Sequence, residues 1–403
     1  MNKGQIMKIL LIDDDPFANK LLLTQLKNLN YLQVSVCQSA IEALTLLQTG
    51  NEHFKLIFCD LQMPEMDGVE LLRNLAKNSF NGKLVLITGE DPSILQTAGI
   101  LAKAHGLDVS GTLHKPATPA ELQQVLERAR QQPADISSSS PKQYKASAIH
   151  QGIINGQMEN YYQPKIDLTT GKMAGVEALV RWHHPQDGLV FPDSFITTAE
   201  EHGLIDELTQ VVLTQAFTDC QQWLHDMGEV IKVSVNVSMI NLSHVGFTEQ
   251  IENQAHLAGV SLSLVILEVT ESQLMNDPLT ALDILTRMRL KRIGLSIDDF
   301  GTGHSSLVQL HDLPFNELKI DKSFVTGAWN DDSIKAFLES SIELAKKLGI
   351  TTVAEGVECA EDWHFLQKTG CNLAQGYFMS RPMQAMALSD WYMSWKNKRH
   401  LFT

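Results

Sequence analysis

Beyond residue 170 of this 403-residue chain, short apolar runs repeatedly deliver residues that can do chemistry. MAGVEALVRW (173–182) carries Glu177 and Arg181, KVSVNVS (232–238) carries Asn236, and LVILEVTE (264–271) carries Glu268. LSIDDFG (295–301) brings Asp298 and Asp299, ELKID (317–321) Lys319, TTVAEGVE (351–358) Glu355, and NLAQGYF (372–378) Gln375. Carboxylates gathered in one pocket repel, and some stay protonated unless cations compensate them. Oxygen ligands with an asparagine select Mg2+ or Mn2+ over zinc, and no Cys or His set at zinc spacing accompanies them. A carboxylate shared by two such ions, about 3.5–4 Å apart, makes a site for in-line attack on a phosphodiester. Lys319 would orient or deprotonate the attacking water, and Arg181 suits a two-point grip on a substrate phosphate.

A separate set lies nearer the N-terminus. Asp13, Asp14 and Asp15 follow KILLI (8–12), and Asp60 follows KLIFC (55–59). Thr88 closes KLVLIT (83–88), and Lys115 follows SGTLH (110–114) and precedes Pro116. At the carboxyl ends of strands in an open parallel sheet, these residues would share one crevice. Magnesium prefers a few carboxylates plus water and phosphate oxygens, and an aspartate beside it can accept a phosphoryl group. Seen singly, an Asp run before a helix is most often an N-cap. The order and spacing of the whole set favour the phosphoryl site.

Positioning these residues requires particular elements. Up to about Arg130, buried-strand candidates alternate with stretches of helix-period apolar residues such as LLLTQLKNL (21–29) and AIEALTLLQ (40–48), which predicts a doubly wound parallel sheet. Residues 131–148, with Pro133, the serine run 137–140 and Pro141, read as a flexible linker. Glu177, Leu179 and Arg181 share a face if their segment is a strand; a helix with a Glu–Arg i,i+4 pair is the alternative. The recurrence of apolar runs ending in polar residues decides for strands. About 250 residues of alternating pattern is the usual size of a (β/α)8 TIM-like barrel, whose carboxyl-end face holds the chemistry. The expected fold class is thus α/β, with domains at 7–130 and 149–403.

Composition narrows the function. The formal charge of −15 leaves no basic surface for DNA or an anionic membrane. Five scattered cysteines without a C-x-x-C pair read as reduced thiols of a cytoplasmic protein, and no apolar run is long enough to cross a membrane. His183 and His184 stand too close together at a strand end to form a metal set. The tail 391–402 reads as a terminal helix packing Trp391 and Trp395.

The first region resembles the receiver domain of two-component response regulators through LLIDDD (10–15), CDLQMPEMDG (59–68), LITGE (86–90) and HKP (114–116). The resemblance implies that Asp13 and Asp14 hold one Mg2+, Asp60 is the phosphoacceptor, and Thr88 and Lys115 contact the phosphoryl oxygens. A cognate histidine kinase is the implied partner. Thr112 stands where receivers usually carry Tyr or Phe, so an aromatic switch is absent.

The second region resembles the EAL family of cyclic-di-GMP phosphodiesterases. EALVR (177–181) is followed in family order by NVS (236–238), EVTES (268–272), DDFGTGHSSL (298–307), KID (319–321), AEGVE (354–358) and QGYFMSRPM (375–383), and preceded by YYQPKIDL (161–168). The resemblance implies hydrolysis of cyclic di-GMP to linear pGpG with two Mg2+ or Mn2+. Glu177, Asn236, Glu268, Asp298, Asp299 and Glu355 would be metal ligands. Lys319 and Gln375 would hold the metals' water, with Lys319 the general base and Glu355 counted with the catalytic set. Gln163, Leu179, Arg181 and Asp321 would bind substrate, and Glu271 would anchor the loop after Asp299, in which His304 replaces a commoner Tyr. A dimer or tetramer is expected. The rival reading is a receptor that binds cyclic di-GMP without cleaving it; the complete ligand set favours hydrolysis.

Overall fold

A computed structural model describes residues 7–49, 54–78, 80–89, 92–130, 142–244, 246–270, 278–302 and 313–399. Its contacts divide the chain into two compact units, Met1–Ser139 and Ser140–Thr403.

In the first unit, β1 (Ile9–Ile12), β2 (Val34–Cys37), β3 (Leu56–Asp60), β4 (Lys83–Thr88) and β5 (Asp108–His114) form a parallel sheet in the order β2-β1-β3-β4-β5. Strand side chains alternate faces, so β1 feeds two cores. Leu10 and Ile12 pack with Ile57, Cys59 and Leu86 on one side, while Ile9 and Leu11 pack with Leu56, Phe58 and Val85 on the other. The strand order reverses between β1 and β3, which opens a crevice at their carboxyl ends. The helix Gly68–Lys77 starts against that crevice. A Cβ on Gly68 would stand 2.5 Å from the Asp60 carbonyl oxygen and 2.6 Å from Leu61 Cα, both backbone atoms that cannot swing aside. Gly68→Ala is expected to cost this unit about 1–3 kcal/mol, read from its circular-dichroism transition. An unchanged midpoint would contradict the packing.

The second unit contains β6 (Met158–Asp167), β7 (Met173–His184), β8 (Gly188–Val190), β9 (Lys232–Asn236), β10 (Val265–Thr270), β11 (Gly294–Phe300), β12 (Glu317–Ile320), β13 (Thr351–Ala354), β14 (Leu373–Ala374) and β15 (Met383–Gln384). From β7 through β9 to β14 the main strands pair parallel in sequence order. β6 closes the barrel by pairing with both β14 and β7, and it runs antiparallel to each. This is a (β/α)8-type barrel with its first strand reversed. The segment 173–182 is a strand, so the helical alternative falls away. The apolar core lies between the strands and their covering helices, as where Val235, Leu267 and Ile297 meet Phe217, Ile251 and Leu285.

Linker residues 131–141 lie outside the described residues. Residues 142–148, read as linker from composition, pack on the barrel instead. Tyr144 is buried with its ring 4.7 Å from that of Trp182, and a helix spans Ala146–Ile154. One aromatic anchor outweighs the polar composition around it. The terminal helix Ala385–Lys398 buries Trp395, which donates to the Gly171 carbonyl at 2.8 Å. No described helix is long and apolar enough to cross a membrane.

Candidate functional site

The carboxyl ends of the barrel strands wall a cavity of about 730 Å3. Glu177, Asn236, Glu268, Asp298, Asp299, Lys319, Glu355 and Gln375 all line it, as do Gln163, Leu179 and Asp321. Two acidic triads form there. Glu177, Glu268 and Asp298 offer oxygens within 4.8 Å of one another, and so do Asp298, Asp299 and Glu355. Asp298 belongs to both.

Adjacent strand residues point to opposite faces, so Asp298 and Asp299 could not both face inward on a regular strand. The β11–β12 register shifts between Ile297 and Phe300, and Asp299 adopts φ 55. The bulge and its left-handed residue re-aim the second carboxylate into the cavity.

Lys319, fully buried, is the hub of the cluster. Its Nζ lies 2.7 Å from Glu268 Oε2, 2.8 Å from Glu355 Oε1, 3.0 Å from Asp298 Oδ1 and 3.4 Å from Glu177 Oε1. Glu177 also accepts from Asn236 Nδ2 at 2.8 Å and from Gln375 Nε2 at 2.5 Å. Gln375 Nε2 further donates to Gln163 Oε1 at 3.1 Å, while Gln375 Oε1 is buried without a partner.

Beneath this layer sits a second buried ammonium that the sequence reading passed over. Lys165 Nζ contacts Glu317 Oε1 at 2.6 Å, Glu268 Oε1 at 2.7 Å and Ser234 Oγ at 2.7 Å. A lysine in the otherwise strand-like YYQPKIDL was the available signal.

Burial pushes Glu177 up, aided by Glu268 and Asp298, and lifts Asp298 and Asp299. Burial drives Glu355 to about 8 against the pull of Lys319. Burial also opposes ionisation of Glu268, but Lys165 and Lys319 overcome it and hold this carboxyl below the usual range. Lys319 is held well above an ordinary lysine: burial opposes its charge, and Asp298, Glu177, Glu268 and Glu355 prevail. Together with Glu317, the clustered carboxylates outnumber Lys165 and Lys319 by the charge of two divalent cations. An all-oxygen donor set with that deficit and an orphaned Gln375 oxygen fits two hard ions.

Two expected substrate contacts are arranged otherwise than a simple lining. Arg181 stands beside the cavity, its guanidinium 4.8 Å from the Phe191 ring centroid and donating to the Val180 carbonyl at 2.9 Å. Asp321 lines the cavity but also caps a turn, accepting from Ser323 N at 2.9 Å. Glu271 and His304 lie outside the described residues. His183 and His184 pair separately with Glu159 and Asp187.

In the first unit, Asp13, Asp14 and Asp60 bring carboxylate oxygens within 4.8 Å of one another. Lys115 Nζ bridges Asp13 Oδ2 at 2.7 Å and Asp60 Oδ2 at 2.8 Å. Asp15 alone takes the N-cap role, accepting from Phe17 N at 2.8 Å, which frees the two residues before it. Asp60 is pushed up by burial, against the hydrogen bond and charge of Lys115 and a weaker pull from the Gln62 amide. Its Oδ1 is buried and accepts no hydrogen bond of good geometry. Thr88 is buried at the end of β4, and Thr112 is exposed on β5.

The EAL domain family matches residues 146–382, and the response regulator receiver domain family matches residues 9–127. Over 387 residues the chain is 32% identical to the cyclic di-GMP phosphodiesterase RocR of Pseudomonas aeruginosa, covering 96% of this chain and 98% of that protein. It is 39% identical over 240 residues to the bifunctional diguanylate cyclase/cyclic di-GMP phosphodiesterase MucR of the same organism, over 60% of this chain and 35% of that protein. The solved c-di-GMP complex of the PaMucR phosphodiesterase superposes with a TM-score of 0.58 at 39% identity, covering 60% of this chain and 98% of that one. The chain belongs to the EAL domain family, and ahead of its EAL barrel it carries a response regulator receiver domain.

Proposed function

We propose that this protein is a cytoplasmic response regulator whose barrel hydrolyses cyclic di-GMP to linear pGpG, with the output set by phosphorylation of Asp60. The observation that carries the reading is the pair of acidic triads sharing Asp298 around Lys319, in a cavity large enough for a dinucleotide. Glu177, Asn236, Glu268, Asp298, Asp299 and Glu355 would hold two Mg2+ or Mn2+. When bound, such ions supply an activated water and stabilise charge on the phosphoryl oxygens. The water oxygen bonds to phosphorus, the P–O3′ bond breaks, and a proton ends on the departing O3′. Lys319 gathers the carboxylates about one centre and places positive charge where negative charge develops. Gln375 fixes Glu177 and offers its free oxygen to the water. Gln163, Leu179 and Asp321 shape the substrate wall, and Arg181 holds a phosphate from beside it.

Incubation with cyclic di-GMP and Mg2+ or Mn2+ should yield pGpG, and EDTA should stop it reversibly. Tight nucleotide binding without product under either metal would instead make the protein a receptor.

In the receiver, Asp13 and Asp14 would hold one Mg2+ while an Asp60 carboxylate oxygen bonds to phosphorus of a phosphohistidine in the partner kinase, the P–N bond breaks and the imidazole leaves with the kinase; Thr88 and Lys115 would receive the phosphoryl oxygens. Homo-oligomerisation as a dimer or tetramer belongs to the same reading. Phosphorylating conditions should shift hydrolysis about 5–150-fold, the range of typical allosteric coupling. Asp60→Asn should abolish that shift while leaving the unphosphorylated rate near wild type. An intact response in this variant would remove Asp60 from the pathway.

A further inference from the structure

The barrel has a second mouth. Lys232, Gly294, Glu317, Thr351 and Leu373 begin β9, β11, β12, β13 and β14, at the end opposite the acidic triads. Interior layers of such barrels are ordinarily filled by bulky branched side chains. Here Gly175 shares the inward face of Glu177, and Gly294 shares that of Ser296 and Asp298. A Cβ on either would run into the adjacent strand, at Lys232 O (2.9 Å) or Ile266 Cγ1 (2.9 Å), so these strands pack closely there, and beside them a cavity of about 300 Å3 lies at the amino ends of the strands.

Its charge is lopsided. Lys165 and Glu317 form the floor and satisfy each other. Lys232, Arg289 and Arg292 also line it, and among the described residues none of these three forms an ion pair. Their neighbours differ: Arg287 pairs with Glu249 and Lys291 with Glu252, both outside the cavity. Arg289 spends one N–H on the Ile293 carbonyl at 3.0 Å, which leaves most of its donor fork unspent. In a chain of formal charge −15, unpaired cations gathered on one small cavity make a local field for an anion.

The backbone supplies an independent indication. The helix Pro278–Leu290 ends with Arg292 at φ 67, as Ile293 N reaches back to the Met288 carbonyl at 3.1 Å. Glycine normally fills that left-handed position, and Gly228, Gly259, Gly349 and Gly370 do so at other helix ends of this barrel. An arginine there carries backbone strain that a glycine would not.

We propose that this cavity binds a small phosphate-bearing anion, held by Lys232, Arg289 and Arg292 at the amino end of the barrel. Arg292→Gly tests it directly, because glycine relieves the backbone strain and so cannot lose the ligand by unfolding. Inorganic phosphate is titrated at constant ionic strength, without divalent metal, by calorimetry and by tryptophan-detected melting. The wild type should bind saturably and melt about 2–4 °C higher near saturation. Arg292→Gly should melt higher than wild type without phosphate and bind phosphate at least tenfold more weakly, and Lys232→Met should weaken it likewise. Wild-type affinity in both variants, or no saturable binding to the wild type, overturns the proposal.

Discussion

Replacing Glu177 by alanine is expected to cut cyclic-di-GMP hydrolysis at least about 1000-fold, or ~4 kcal/mol of transition-state stabilisation. The same change should raise the melting temperature of the metal-free protein. Both signs come from one geometry. Glu177 contributes to the triad with Glu268 and Asp298, and it is the acceptor that fixes Asn236 and Gln375. Without it, a candidate ion loses one ligand directly and the orientation of two more groups. In the absence of metal, however, the buried Glu177 carboxyl is held above its ordinary range by burial and by neighbouring carboxylates. Its ionised form is therefore disfavoured in the fold at neutral pH, and deleting it removes that penalty. Product formation by chromatography and melting in EDTA measure the two halves. A variant that hydrolyses within tenfold of wild type would dismiss Glu177 as a ligand.

Lys165→Met should destabilise the barrel by about 3–5 kcal/mol, the usual consequence of stripping one partner from a buried ion pair. Glu317 would be left without its ammonium, and Glu268 would keep only Lys319. The side chain does not itself line the reaction cavity and reaches it only through Glu268, so the loss of stability reflects buried charge rather than a missing substrate contact. The double variant Lys165→Met/Glu317→Leu should recover part of the loss, since both charges then leave together. All six tryptophans lie in the barrel unit, so fluorescence during urea denaturation reports its unfolding alone. A single variant within 1 kcal/mol of wild type would show that water reaches these groups.

Much of the site was readable because barrel topology converts sequence order into convergence at one end. Asn236, Glu268, Lys319 and Gln375 stand at strand ends, where the alternating apolar runs put them. What escaped depends on pairing that no single run reveals. Asp298 and Asp299 were both expected in the pocket, but the bulge of β11 against β12 that lets adjacent residues face together was not legible. Lys165 finds Glu317 across the barrel, 152 positions away in sequence. The reversed β6 carries an ordinary strand pattern, and its direction is set by what it pairs with. Tyr144 looked like part of a polar linker until its ring met Trp182. In the receiver, by contrast, the aspartate run divided its labour as local rules suggest, with Asp15 capping and Asp13 and Asp14 left for the crevice.

The reversal of β6 also decides where the barrel is moored to whatever precedes it. A barrel opening on a parallel strand takes in its upstream chain at the amino-end mouth, remote from the chemistry. Here β6 descends from the catalytic end: Met158 pairs with Trp182 near the far end of β7, and Lys165 with Gly175 near its beginning. The incoming helix Ala146–Ile154 consequently shares a hydrophobic cluster with Ile205 and Leu208, which also form part of the reaction cavity's wall. The chain therefore enters the barrel beside the reaction cavity and not at the opposite mouth.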